Sequence, residues 1–361
     1  MGKGIGSSGK VAKSAVRIGW VATIIVVSAV GCAGSPANGP APPTPPLPPV
    51  TSPPLTAPTL AALTLAGPTP AVTAVQIVRA YDASEDEYPE GIAVDAMGNI
   101  FASLARLGQV RRIEPDGTES TIMDLGEPKT LGLAVDGSGS LYVCQNSPGM
   151  AIHGIYRIDA DGTSARLPGT EEMANPNGLA LDERGNVYVT DSQLGALWRI
   201  PPGGPAELWL QHVLLEGTDE TPGYPPIGAN GVACWKEGLY VANLEQGHVV
   251  RIEILKGGEA GEPQVVADGR YGLDGIAVDN YGRIYAALGI QSKVIWIDPS
   301  KGEITELATR SDGLDIPASL AFGTTEGERE SLYITNYAVT SSSSHPGILK
   351  LDVGVPGPPL P

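Results

Sequence analysis

The chain has 361 residues, and its first 73 hold no acidic residue but 13 of the 33 prolines, so a globular body must come from the remaining 288. That body carries nineteen basic residues against all 40 acidic ones, a net charge of −21. Such a surface repels phosphate backbones, which argues against nucleic acid as a partner and favours a cationic metal. Forty-seven glycines, with 17% charged and 5% aromatic residues, argue against coiled coils and charged helical bundles.

Residues 1–31 follow the three-part plan of a bacterial export signal: a basic start from Met1 to Arg17, an apolar run from Ile18 to Val30, then Gly31-Cys32. The apolar run is short for a bilayer span, and small residues just before Cys32 resemble the lipobox of lipoproteins. Cys32 is therefore the candidate for acylation after cleavage, which would tether the chain to a membrane in the bacterial cell envelope, outside the cytoplasm. A plain secretory signal or an uncleaved anchor is the alternative. Residues 32–73 are rich in Pro, Ala, Thr and Ser and read as a disordered, semi-rigid spacer. Residues 74–361 form the body. Its two cysteines, Cys144 and Cys234, lie in strand-like runs and read as buried small hydrophobes rather than as a disulfide.

Six segments of the body share one plan: PEGIAVDAMGNIFAS, TLGLAVDGSGSLYVCQ, PNGLALDERGNVYVTDS, ANGVACWKEGLYVAN, LDGIAVDNYGRIYAAL and ASLAFGTTEGERESLYITN. In each, a small apolar strand ends in a turn and a second strand of β-branched and aromatic residues follows. The turns DAMGN, DGSGS, DERGN and DNYGR carry Asp, Gly and Asn where tight hairpins need positive φ or a capping side chain. With Gly91, Gly132, Gly178, Gly231, Gly275 and Leu320 as markers, the spacings are 41, 46, 53, 44 and 45. That period predicts an all-β, six-bladed β-propeller with four-stranded blades. Blade six lacks a fourth strand, and Val75 to Tyr81 has the alternation to supply it and close the ring. A monomer is expected.

The residue before each marker sits where the innermost strand enters the channel: Glu90, Leu131, Asn177, Asn230, Asp274 and Ser319. Two carboxylates and two amides converging on one axis make a hard-oxygen set without His or Cys, which suits calcium better than zinc or copper. Four protein donors would leave coordination positions for water and a small-molecule substrate, the layout of a catalytic site. Gln145, Asn146, Asp191, Asn243 and Asn336, at the ends of the second strands, belong to the same mouth. Asp191 and Asn243 are candidates to orient ligands, and Asn146 and His153 to face substrate, His153 as a possible base. The insertion at 211–229 would overhang the channel as a lid.

The repeats, the ring size and the order Glu90, Asn177, Asn230, Asp274 resemble the calcium-dependent six-bladed hydrolases: the senescence-marker-protein/gluconolactonase family and its relatives, the paraoxonases and diisopropylfluorophosphatase. The resemblance covers about Val75 to Val353. It implies that Glu90, Asn177, Asn230 and Asp274 hold a catalytic calcium, and that Asp274 doubles as base or nucleophile in hydrolysis of a lactone or related ester. Leu131 stands where paraoxonases carry a histidine, so that family's proposed base is missing. The motifs PNGLALD and DGIAVD also occur in NHL-repeat propellers, which leaves a non-catalytic module binding a ligand or protein at the envelope as the alternative. A lyase or condensing enzyme on the same fold is a third reading.

Overall fold

The computed structural model describes residues 67–218, 226–339 and 345–361. Among these residues twenty-four strands form six four-stranded antiparallel sheets, one per blade, and short 3-10 turns join some of them. The inner strands are Pro89–Val94, Thr130–Val135, Pro176–Leu181, Ala229–Trp235, Leu273–Val278 and Pro317–Phe322. Strand Gln76–Ala80 pairs antiparallel with Gly347–Asp352 as the outer strand of blade six, so the amino-terminal strand completes the ring. It covers an edge that would otherwise present unpaired backbone groups.

The hydrophobic core lies between blades rather than within them. Six clusters fill the six seams. One, for example, packs Tyr285, Ala287 and Trp296 of blade five against Leu332, Ile334 and Leu351 of blade six. The closing seam packs Ile92, Val94, Ile100 and Leu104 of blade one against Tyr81, Tyr333 and Ile348. A single sheet has no such partner, so each blade depends on its neighbours for burial.

All six inner strands carry an irregularity at one equivalent place. Pairing with the second strand slips between Pro89 and Ile92, Thr130 and Leu133, Pro176 and Leu179, Ala229 and Val232, Leu273 and Ile276, and Pro317 and Leu320. A β-bulge re-aims a side chain, and here it turns a residue of the inner strand toward the channel in every blade but the second. Hydroxyls on the second strand stabilise it: the Gly91 N–H donates to Ser103 (2.7 Å), Gly178 to Thr190 (2.8 Å) and Ser319 to Thr335 (2.8 Å). A Cβ on Gly91, Gly132, Gly178 or Gly231 would collide with the carbonyl of the ring residue in the next blade. The ring closes at its axis because those positions have no side chain.

This register corrects the sequence reading of blade six. Pro317 pairs with Asn336 and Leu320 with Ile334, as Pro89 pairs with Leu104 and Ile92 with Ala102. Ser319 therefore takes the place of the glycine and Ala318, not Ser319, is the sixth ring residue. Matching Leu320 to the glycines set the register one residue late.

At the end of the channel where the inner strands finish, Pro358 to Pro361 help to close an apolar chamber of about 570 Å³. The Gly137 N–H donates to the Pro361 carbonyl (2.7 Å), Asn280 to Pro356 (3.1 Å), and Leu360 packs on the seam between blades one and two. Residues 67–73, read from sequence as spacer, run at the same end: Ala71 donates to the Val353 carbonyl (3.0 Å), Arg283 to that of Pro68, and Gly67 lies on the Tyr281 ring. The export signal, Cys32 and the spacer up to residue 66 lie outside the described residues. Among the described residues no helix is long and apolar enough to cross a membrane.

Candidate metal centre

Glu90, Asn177, Asn230 and Asp274 line one cavity of about 60 Å³ at the start of the inner strands, with Gly132, Leu133, Ala318 and Ser319 among its other walls. Four blades thus deliver one polar side chain each. Leu131 instead packs into the seam of blades two and three, and the sixth position is the methyl of Ala318. Polar donors therefore come from blades one, three, four and five.

The electrostatics of this cavity are unfavourable without a cation. Burial, and next the neighbouring Asp274 carboxylate, push the Glu90 carboxyl well above the usual range. Burial pushes Asp274 up to about 7, against a hydrogen bond from the Asn230 side chain. The Glu90 Oε2 atom is buried and has no hydrogen-bond partner among the described residues. An orphaned carboxylate oxygen beside a second carboxylate is costly unless a proton or a cation joins it. Two carboxylates and two carboxamides fit a hard divalent cation such as calcium.

The other predicted side chains serve the loops that lead into the inner strands. The Asp191 carboxylate accepts from the backbone N–H groups of Ala174 (2.7 Å), Asn175 (3.0 Å) and Leu194 (3.1 Å) and from the Trp198 indole (3.3 Å). It fixes the approach to Pro176 and Asn177. Asn336 does the same in blade six, accepting from Asp315 (2.6 Å) and donating to His345 (3.0 Å). Gln145 accepts from the Thr130 hydroxyl (2.6 Å) and donates to the Pro128 carbonyl (3.0 Å). Asn243 donates to the carbonyls of Leu214 (3.1 Å) and Glu216 (2.8 Å), pinning the base of the insertion at 211–229. Residues 219–225 of that insertion lie outside the described residues.

His153 is buried, its Nδ1 accepting from the Ser147 N–H (3.0 Å) and its Nε2 facing the Met173 carbonyl at 2.8 Å. That pairing fixes a neutral ring with the proton on Nε2 and commits both nitrogens, so His153 is a tie between loops and not a base. Asn146 donates to the Asn175 side chain, while its own Oδ1 is buried and without a partner among the described residues. Among the described residues Cys144 and Cys234 form no disulfide, and Cys144 lies buried with its thiol 3.1 Å from the Pro176 carbonyl.

Two residues of this mouth escaped the sequence reading. Gly289 lies against the Asp274 carboxylate, where an added Cβ would come within 3.4 Å of Oδ2. Tyr337 follows the second strand of blade six; burial first, then Glu90, push its phenol up to about 12. Both stand at the position after the second strand, whose N–H makes the same backbone hydrogen bond in every blade, but its residue type varies from Ala105 and Asn146 to Ser192 and Leu244, so self-comparison gives no signal for them.

Fold and site together define a six-bladed propeller whose blades direct oxygen donors into one end of the channel. Residues 227–338, which contain most of blades four to six and both Asn230 and Asp274, match the family model of the SMP-30/gluconolactonase/LRE-like region. The chain resembles that family. Among solved structures it is similar to a gluconolactonase from Xanthomonas campestris, at 20% identity over 80% of this chain and 99% of that one, with a TM-score of 0.57. It is also similar to regucalcin, a calcium-binding protein from Agrobacterium tumefaciens, at 16% identity over 78% of this chain and 96% of that one, with a TM-score of 0.59. A catalytically inactive variant of virginiamycin B lyase from Staphylococcus aureus aligns at 16% identity over 78% of this chain and all of that one, with a TM-score of 0.54. At these identities the shared property is the fold. Comparison with curated protein sequences gives no match.

Proposed function

We propose that this protein is a calcium-dependent hydrolase of a lactone or related ester, held at the outside of a bacterial membrane by lipid on Cys32. The observation that carries the reading is the convergence of Glu90, Asn177, Asn230 and Asp274 on one cavity of about 60 Å³, with Glu90 Oε2 left without a partner among the described residues. These four side chains would hold the ion. Calcium there would supply charge neutralisation and polarise a substrate carbonyl. Asp274 is the proton carrier: its carboxylate takes a proton from the attacking water and returns it to the departing ester oxygen, so that water and lactone yield the hydroxy acid. With Leu131 turned into a seam and His153 bonded on both sides, neither of these two positions supplies a histidine for that role.

Calcium titration of the body, together with rates on a panel of aldonolactones, aliphatic lactones, aryl esters and phosphotriesters, tests the reading. Asp274→Asn keeps an oxygen but loses the base, and hydrolysis should fall by about 100-fold or more. Glu90→Gln should mainly weaken calcium binding, by on the order of ten-fold, so added calcium restores part of its rate. Leu131→Met should leave calcium affinity as it is. A body that binds no calcium, or binds it equally well in all three variants, would put the non-catalytic binding module in place of the enzyme.

A further inference from the structure

Four side chains give a calcium ion fewer oxygens than the roughly six to eight it takes, so the rest of the cavity wall matters. Beyond Glu90, Asn177, Asn230 and Asp274, every described residue of that wall is glycine or apolar except Ser319. In five blades the residue after the ring position is glycine: Gly91, Gly132, Gly178, Gly231 and Gly275. A Cβ on any of them would meet the ring-residue carbonyl of the next blade, which for Gly275 is that of Ala318 at 2.6 Å. Blade six alone places a side chain there, where the ring closes onto blade one.

The Ser319 N–H donates to the Thr335 hydroxyl (2.8 Å), and that hydroxyl donates in turn to the Glu90 carbonyl (2.6 Å), which fixes Ser319 against the ring residue of blade one. On its other side, a Cβ built on Gly275 would come within 3.2 Å of Ser319 Oγ, so the hydroxyl lies beside the residue that follows Asp274. Ser319 thus stands between the two blades that supply the carboxylates. It is half-buried, and its hydroxyl makes no hydrogen bond among the described residues. A position that the fold elsewhere reserves for glycine here carries an oxygen with no protein partner, in the wall of a cavity that holds two carboxylates.

We propose that the Ser319 hydroxyl oxygen is a fifth protein donor to the calcium ion, adding blade six to the set drawn from blades one, three, four and five. This rests on the calcium reading above and is independent of which ester is hydrolysed. A hydroxyl is a hard, uncharged oxygen, so it raises the coordination number without adding to the two negative charges that already match a divalent ion. Magnesium, which keeps several of its waters, gains less from a further side chain, so the donor favours calcium over magnesium.

The test uses Ser319→Gly, which restores the residue of the other blades, and Ser319→Cys, which puts sulfur in place of the oxygen at nearly the same size. Calorimetric titration of the purified protein should show calcium affinity weaker by about 10-fold in Ser319→Gly, with magnesium affinity changed by less than about three-fold. Cadmium, a soft ion, should raise a sulfur-to-cadmium charge-transfer band in the ultraviolet spectrum of Ser319→Cys beyond that of the wild type, and saturating calcium should abolish it. A serine that only braced the strand would bring no sulfur to the metal. Unchanged calcium affinity in Ser319→Gly, or no additional band in folded Ser319→Cys, would overturn the role of Ser319 while leaving the hydrolase reading in place. A wild-type protein that binds no calcium would overturn both.

Discussion

At the scale of single residues, the protein's most unusual feature is a pair of carboxylates placed where neither is comfortable. Asp274 rises from the usual 3.8 to about 7, chiefly through burial, and Glu90 is raised by burial and by Asp274. A carboxyl raised on folding binds its proton more tightly in the folded state, so the stability it contributes is full below about pH 4 and is lost as pH rises through about 7. In the presence of a chelator, the melting temperature should therefore decline between pH 4 and pH 8. Calcium should suppress that decline, so that its stabilising effect is larger at pH 8 than at pH 5. Scanning calorimetry at several pH values decides this, and a calcium effect of the same size throughout would mean that these carboxylates are not its ligands. The candidate residues were legible in sequence because each precedes a glycine that the ring axis demands. The register failed only in blade six, where Ser319 replaces that glycine and its N–H is held by Thr335.

At the scale of elements, the strand Gln76–Ala80 bears the burden of closure. It pairs along Gly347–Asp352, and Tyr81 beyond it fills the seam between blades six and one. A body beginning at residue 67 should fold as the full chain does, whereas one beginning at residue 82 exposes the edge of blade six and loses part of its closing seam. Its melting temperature should fall by on the order of 5–10 °C, and self-association through the bare edge should follow. Equal melting temperatures for the two bodies would refute closure by this strand. Its role was readable from counting, since five blades supply four strands and the sixth only three. The ties made by Asp191, Asn243 and His153 were not readable, because Asp, Asn and His at strand ends look alike whether they face a ligand or brace a loop.

At the scale of the whole molecule, both described chain ends lie at the face opposite the candidate centre, with Pro358 to Pro361 over the apolar chamber and Gly67 against Tyr281. A tether joined to residue 67 would therefore start from the face away from Glu90 and Asp274. If that tether is lipid on Cys32, Cys32→Ser should move the protein from the membrane pellet to the soluble fraction with no change in melting temperature or calcium affinity. Retention of the variant in the pellet would point to an uncleaved apolar segment instead.

The sequence by itself determined the fold. Hairpin turns, strand alternation and a repeat of 41 to 53 residues act locally, and six copies that cannot bury themselves alone have a ring as their solution. It also named the four residues that line the cavity, because each stands just before the glycine that recurs at one place in the copies. Only the tertiary structure decided which residue blade six contributes, that Leu131 turns into a seam, that His153 is spent on two backbone groups, and that Tyr337 meets Tyr88 edge-on. These depend on contacts between blades far apart in the chain, and no local pattern encodes the direction in which a side chain meets a distant neighbour.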